Sequence, residues 1–365
     1  MENKLKELSD ILVNYSIHVE KGEKVLINSF SIKAKPLIVE LVKSVAKAGA
    51  IPFVRIEDQE INRVLLENTT IDRMNEVNHQ LEQDNENFDA YIRIRYTENE
   101  YESKFVDPQI KKDLGRITMN ANEVRVNKRK WVLLNYPSLI DAYKASMPTD
   151  EFTRYALDAM TYDYKKMEKD LQPLKELMEK TDKVHIVGPN TDLTFSIKDI
   201  PVIPCCGECN IPDGEIYTAP VKNSVNGRIT YNTASPYNGN IFRNISLLFK
   251  DGKIIEATCD GNNDALNEIF NTDEGARYVG EFSFGVNPLI TEPIGDILYD
   301  EKISGSIHFT PGKCYDNAYN GNSSSIHWDL VLIQQERFGG GEIYLDDVLV
   351  RKDGKFVLDS LKHLN

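Results

Sequence analysis

Strand-like and helix-like segments alternate through the first half of the chain, and no other pattern restricts the fold so strongly. Leu5, Leu8, Ile11, Leu12 and Tyr15 recur at helical spacing, and the short apolar run "KVLINS" follows at 24–29. Leu37 to Ala48 reads as a helix closed by Gly49, and "IPFVRI" at 51–56 as a second strand. "AYIRIRY" at 90–96 and "KWVLLNY" at 130–136 continue the series. Such alternation predicts a mostly parallel sheet with helices on its faces, an α/β domain. Residues 149–180 read as helical, with Phe152, Tyr155, Leu157, Met160 and Leu171 spaced for burial.

After Asp182 the texture changes. From "KVHIVG" onward the chain is strand-rich and punctuated by turn signals such as "PNTD", "VNGR" and "KDGK". The sequence therefore predicts an N-terminal α/β domain over 1–180 and a strand-rich α+β C-terminal domain over 181–365. The 365 residues allow about two domains at roughly 150 residues each.

Charge and composition narrow the function classes. A net charge of −14, from 43 basic and 57 acidic residues, would repel a nucleic acid, and "VNKRK" at 126–130 is the one local basic run. No segment reaches the ~20 apolar residues needed to cross a bilayer. The opening "MENKLKELSD" has no signal-peptide apolar region. The five cysteines, three of them in "CCGEC" at 205–209, make a poor disulfide framework and fit a reducing cytoplasm. No strand is followed by G-x-G-x-x-G or G-x-x-x-x-G-K-[ST], so nucleotide binding has no support.

Four stretches in the second half carry chemistry. Glu215 follows a Pro-Asp-Gly turn in "IPDGEIYTAP", and Glu281 heads an alternating segment in "VGEFSFGVNP". His308 and Tyr315 lie in "SGSIHFTPGKCY". Singly, each has an ordinary explanation as a solvated acid, a hydrogen-bonded core histidine or a packing tyrosine. The stretch "SSSIHWDLVLIQ", 323–334, is harder to explain. It reads as a strand with Ile326, Trp328, Leu330 and Leu332 on one face, and His327, Asp329, Val331 and Ile333 on the other. A carboxylate there needs a strong partner, either His327 as a neutral structural pair or a cation that both groups bind. Two imidazoles and three carboxylates suit zinc, cobalt or manganese better than magnesium. Five ligands exceed the three of a single catalytic zinc and could hold two ions through a bridging carboxylate.

The other histidines, His18, His79, His185 and His363, have no neighbouring ligand pattern, and H-E-x-x-H is absent. Cys206 and Cys209 have C-x-x-C spacing without a second pair, and Cys206, on the approach to Glu215, is the candidate reactive thiol.

The motifs "NIPDGEIYTAP", "VGEFSFGVNP", "DEKISGSIHFT" and "NSSSIHWDLV", in this order, resemble the thermophilic-aminopeptidase family of metallopeptidases, M29. "LSDILVNYSIHVEKGEKVLI" is similar to that family's opening helix and strand, and "HIVGPNTDLTFSI" to the start of its second domain. The resemblance implies Glu215, Glu281, His308, His327 and Asp329 as ligands of two divalent metal ions (Zn, Co or Mn). It implies Tyr315 as a catalytic tyrosine and a further catalytic role for Glu281. It also implies a homodimer and an aminopeptidase acting on peptide substrates, for which a two-metal-activated water is the expected mechanism. Two rival readings keep the metal but change the role: a two-metal phosphoesterase or amidohydrolase, and a non-catalytic metal-stabilised binding protein.

Overall fold

The computed structural model describes residues 1–237 and 239–365. It divides into two compact units, Met1–Tyr162 with Gly207–Pro212, and Asp163–Cys206 with Asp213–Asn365.

The first unit is built on a sheet of β1 (Lys24–Ser29), β2 (Ile51–Ile56), β3 (Ala90–Arg95) and β4 (Lys130–Asn135), in the order β2-β1-β3-β4 and all parallel. The four strands coincide with the four apolar runs of the sequence. Helices α1 (Glu2–Asp10), α2 (Lys35–Lys47), α3 (Gln59–Glu67), α4 (Ile71–Asn87), α5 (Pro108–Lys128), α6 (Leu139–Lys144) and α7 (Thr149–Met160) connect and flank them. Their starts are written in the sequence. Asp58 caps α3 by accepting the Ile61 amide at 3.0 Å, and Asp107 caps α5 ahead of Pro108. The sheet's two faces differ. Val25, Ile27, Ile92, Ile94, Val132 and Leu134 are fully buried on one face, the side of α1 and α2. Asn28, Arg55, Tyr91 and Arg93 occupy the other, toward α4 and α5. The short strand at Asn210–Ile211 adds to the free edge of β4, in parallel, from much later in the chain.

The second unit begins with α8 (Tyr164–Lys180) and then consists mainly of antiparallel strands. A nine-stranded sheet contains β5 (Lys183–Gly188) and β6 (Thr191–Ser196) at its middle. A smaller antiparallel sheet runs in the order 331–333, 306–311, 279–285, 215–218, 203–205. Its strands, in chain order, are β7 (Ile203–Cys205), β8 (Glu215–Thr218), β9 (Val279–Gly285), β10 (Ser306–Pro311) and β11 (Val331–Ile333). Side chains alternate across it. Phe282 and Phe309 face the larger sheet, their rings 5.0 Å from Phe195 of β6. Each such buried phenylalanine contributes on the order of 2–3 kcal/mol. The alternate positions, Glu215, Glu281, Ser283 and His308, therefore share the opposite face.

The stretch 323–334 departs from the expected continuous strand. Only Val331–Ile333 joins the ladder, and His327 makes an isolated bridge to Gly312. Pro311, at the end of β10, has no amide hydrogen, and Gly312 turns the chain with φ +111°. Extended backbone is nevertheless kept, since the Trp328 amide donates to the Pro311 carbonyl and the Phe309 amide donates to the Leu330 carbonyl. The inward and outward alternation survives: Ile326, Trp328, Leu330 and Leu332 are all buried.

Candidate metal centre

All of the sequence-predicted ligand residues lie in the second unit. Adjacent strands bring three of them together. Ser283 of β9 pairs with Tyr217 of β8 and with His308 of β10, so Glu215, Glu281 and His308 sit within two positions of a common cross-strand row. The extended run after Ser325 adds His327 and Asp329. Its register is fixed by Gly312, where a Cβ would lie 2.1 Å from the Ile326 carbonyl oxygen. Only glycine allows that approach.

The contacts form a chain of alternating sign. His308 Nε2 lies 3.1 Å from Glu215 Oε2 and 3.0 Å from Glu281 Oε1. Glu281 Oε2 lies 3.3 Å from His327 Nε2, which is 3.2 Å from Asp329 Oδ1. The Thr310 hydroxyl donates to Asp329 at 2.8 Å. The Ser283 hydroxyl donates to Glu215 at 3.1 Å. Glu281 and His308 are almost fully buried.

Electrostatics follow from this packing. Burial disfavours charge on His308, yet the Glu215 and Glu281 carboxylates override it and push the imidazole up to about 9. His327 is raised in the same way, with Asp329 as its strongest partner against burial. Glu281 and Asp329 are held below the usual carboxylate range because the imidazoles outweigh the burial of both groups.

Tyr315 stands at the rim, about half exposed, its ring centroid 4.9 Å from that of His327 and 5.5 Å from that of Tyr217.

Three groups escaped the sequence reading. Glu301 and Lys302 reach the cluster from the turn before β10, and Asp213 from the Pro-Asp-Gly turn before β8. The Lys302 ammonium is completely buried, 2.5 Å from Glu215 Oε1, 2.6 Å from Glu301 Oε1 and 3.6 Å from Asp213 Oδ1. Burial pushes Glu301 up to about 8 although Lys302 pulls it down. The run "DEK" at 300–302 has the composition of a solvated turn, and nothing local marks it as interior. The signal, in retrospect, is its position seven residues before His308. Among the cysteines, Cys205 rather than Cys206 approaches the cluster, as the cross-strand partner of Glu215. Burial, then Glu215 and Asp213, keep its thiol protonated.

The donor set fits divalent cations. Ligand atoms of Glu215, Glu281 and His308 lie within 4.8 Å of one another, as do those of Glu281, His327 and Asp329, and those of Glu301, His308 and Asp329. The His327 ring gives a specific test. Its Nδ1 lies 2.7 Å from the Lys313 carbonyl, which can only accept, so Nδ1 carries a hydrogen. In the neutral ring Nε2 then presents a lone pair to two carboxylate oxygens, and a cation between them relieves that repulsion.

Comparison with known proteins agrees with the geometry. The profile of the family described as thermophilic metalloprotease (M29) matches residues 1–356. Aminopeptidase 2 of Geobacillus stearothermophilus is 29% identical over 167 residues, 40% of this chain and 37% of that protein. Aminopeptidase AmpS of Bacillus subtilis (strain 168) is 29% identical over 161 residues, 40% of this chain and 39% of that protein. The alignments thus span about two fifths of the length of these relatives. The structure of wild-type AmpT from Thermus thermophilus superposes with a TM-score of 0.80 at 19% identity, over 98% of this chain and 100% of that one, and shares its fold. With a family profile matched over nearly its whole length, the chain belongs to the thermophilic metalloprotease (M29) family.

Proposed function

We propose that this protein is a metallo-aminopeptidase that releases N-terminal residues from peptides at a two-ion centre. Glu215, Glu281, His308, His327 and Asp329 would hold the ions, with Glu301 as a further ligand. The observation that carries this reading is the double engagement of Glu281, whose two oxygens each address a different imidazole. That is the disposition a bridging carboxylate needs. Charge supports the number two. Were ion binding to displace the protons from Glu301, His308 and His327, the carboxylates of Asp213, Glu215, Glu281, Glu301 and Asp329 would carry five negative charges, Lys302 would return one, and two dications would balance the remainder.

When bound, such ions supply Lewis-acid polarisation of the scissile carbonyl and acidify water. The chain's own groups do the rest. Glu281, or another carboxylate of the cluster with an oxygen left free by the ions, would take a proton from the attacking water and return it to the leaving amine. Tyr315, a phenol that keeps its proton at neutral pH, donates a hydrogen bond to the developing oxyanion, a contribution of roughly 3 kcal/mol. Ser283 and Thr310 hold Glu215 and Asp329 in orientation.

A phosphoesterase would need a free cationic side chain for phosphate. Lys302 is enclosed and already paired with two carboxylates, which favours the peptidase. Self-association as a homodimer is supported by apolar side chains left exposed on β2 and α3, among them Phe53, Val54, Ile61 and Val64. An odd count of five cysteines, three of them crowded at 205–209, supports a reducing, cytoplasmic setting.

Hydrolysis of leucine p-nitroanilide by the purified protein, its loss with EDTA and its return with zinc, cobalt or manganese test the activity. Glu281→Gln and His327→Ala should each lower turnover at least a hundredfold while the far-ultraviolet circular dichroism is retained. Wild-type turnover in either variant, or none in the metal-loaded protein against a panel of aminoacyl anilides, rejects the reading.

A further inference from the structure

The first unit contains a second cluster of charge that the peptidase reading does not use. Leu26 and Asn28 of β1, Arg55 of β2, Tyr91 and Arg93 of β3, and α4 and α5 line a small concavity that opens to solvent. Its position follows from topology. The chain leaves β1 toward β2 on one side and returns to β3 on the other, so the strand order reverses between β1 and β3. In open parallel sheets, ligands bind beside the carboxyl ends of the strands at this reversal. Asn28 and Arg93 are cross-strand partners there, each in the second half of its strand.

Three arginines converge on this hollow in a chain whose net charge is −14. Arg55 is satisfied by Asp84 through two bonds of 2.6 and 2.9 Å. Arg93 and Arg125 are not. Among the described residues, neither pairs with a carboxylate. Arg93 lies over the Phe30 ring at 5.2 Å, and Arg125 has a single 3.4 Å contact with Asn122 Oδ1. Burial, and after it the charges of Arg125 and Arg95, pull Arg93 down to about 10. Two poorly solvated like charges facing one hollow are an unfavourable arrangement that an anion between them reverses. Asn28 adds an acceptor. Its side chain is nine-tenths buried and its Nδ2 donates to Glu57 at 2.9 Å, while Oδ1 has no partner. A ligand that satisfies all three groups carries an oxyanion and, beside it, a hydrogen-bond donor.

We propose that Arg93, Arg125 and Asn28 form a binding site for a small oxyanion bearing its own hydrogen-bond donor, such as monohydrogen phosphate or the carboxylate and ammonium of a free amino acid. The guanidiniums grip the oxyanion, and Asn28 Oδ1 accepts the donor. Absence of a Gly-rich loop after β1 argues against a dinucleotide.

Isothermal titration of the metal-loaded protein with inorganic phosphate, sulfate and leucine, at ionic strength matched with sodium chloride, tests the site. Saturable binding of one equivalent of phosphate or of leucine is expected, and the arm that binds identifies the source. Sulfate, which lacks the donor at neutral pH, should bind at least tenfold more weakly than phosphate. Arg93→Met and Arg125→Met should each weaken binding at least tenfold, and hydrolysis of leucine p-nitroanilide in phosphate-free buffer should be unchanged. Arg125 lies on a helix rather than in the sheet, so its variant reports even if Arg93→Met folds poorly. Saturation by neither ligand overturns the proposal. Binding that survives in Arg125→Met overturns it too, because that binding belongs to the metal centre.

Discussion

The ammonium of Lys302 lies 2.5 Å from a carboxylate oxygen of Glu215 with no exposure to solvent. The same ammonium holds Glu301, so one oxygen of each carboxylate is occupied before any ion arrives. Lys302 is thus an internal counter-charge for an acidic cluster that would otherwise repel itself.

Removing that charge should weaken the empty protein far more than the loaded one. Lys302→Met should destabilise the EDTA-treated protein by about 3–5 kcal/mol, the usual consequence of stranding a buried charge. Zinc should restore most of the loss, because the ion supplies the missing positive charge. Urea denaturation with and without zinc measures both values. An equal loss in the two conditions would show that Lys302 matters only for packing.

The metal-free protein should lose stability as pH rises. His308 titrates near 9 in the fold against an ordinary 6.5, so its contribution is complete below 6.5 and disappears as pH passes 9. Glu301, held near 8 against an ordinary 4.5, gives a slope of the same sign between those values. Glu281 and Asp329, held low, contribute above their ordinary range and lose that contribution in acid. Melting temperatures of the EDTA-treated protein should therefore fall between pH 6.5 and pH 9. Saturating zinc should flatten that decline, since a bound ion takes the place of the protons. A level metal-free profile would contradict the assignment.

Gly312 should be nearly irreplaceable. An alanine Cβ would meet the Ile326 carbonyl oxygen at 2.1 Å, and φ of +111° is itself unfavourable for a side chain. Gly312→Ala should cost about 2–4 kcal/mol. It should also weaken metal binding at least tenfold, because His327 pairs with this residue and bonds the next carbonyl. Competition with a chromogenic chelator reads the affinity directly.

Thr310→Val removes the hydroxyl that orients Asp329 while preserving shape. A loss of about 1 kcal/mol in stability is expected, with a larger relative loss in zinc affinity. Unchanged affinity would mean that Asp329 needs no such support.

The sequence alone specified the local elements. The apolar runs at 24–29, 51–56, 90–96 and 130–136 became strands, the last two ending one residue early, because a short apolar run between helices has few other ways to be buried. It also singled out His327 and Asp329, since charge on an otherwise apolar strand is costly enough to stand out, whereas Glu215, Glu281 and His308 were singled out as ligands only through the resemblance of their motifs to a known family. Tertiary structure decided what has no local signature. Glu301, Lys302 and Asp213 lie in turns whose composition suggests solvent, and only the approach of β8 to β10 across β9 makes them interior. The end of the ladder at His327 depends on Pro311 and Gly312 in the neighbouring strand, and the pairing of Arg93 with Asn28 on β1–β3 register. A residue's burial and its charged neighbours are set by segments distant in the chain, so they arise only when those segments meet.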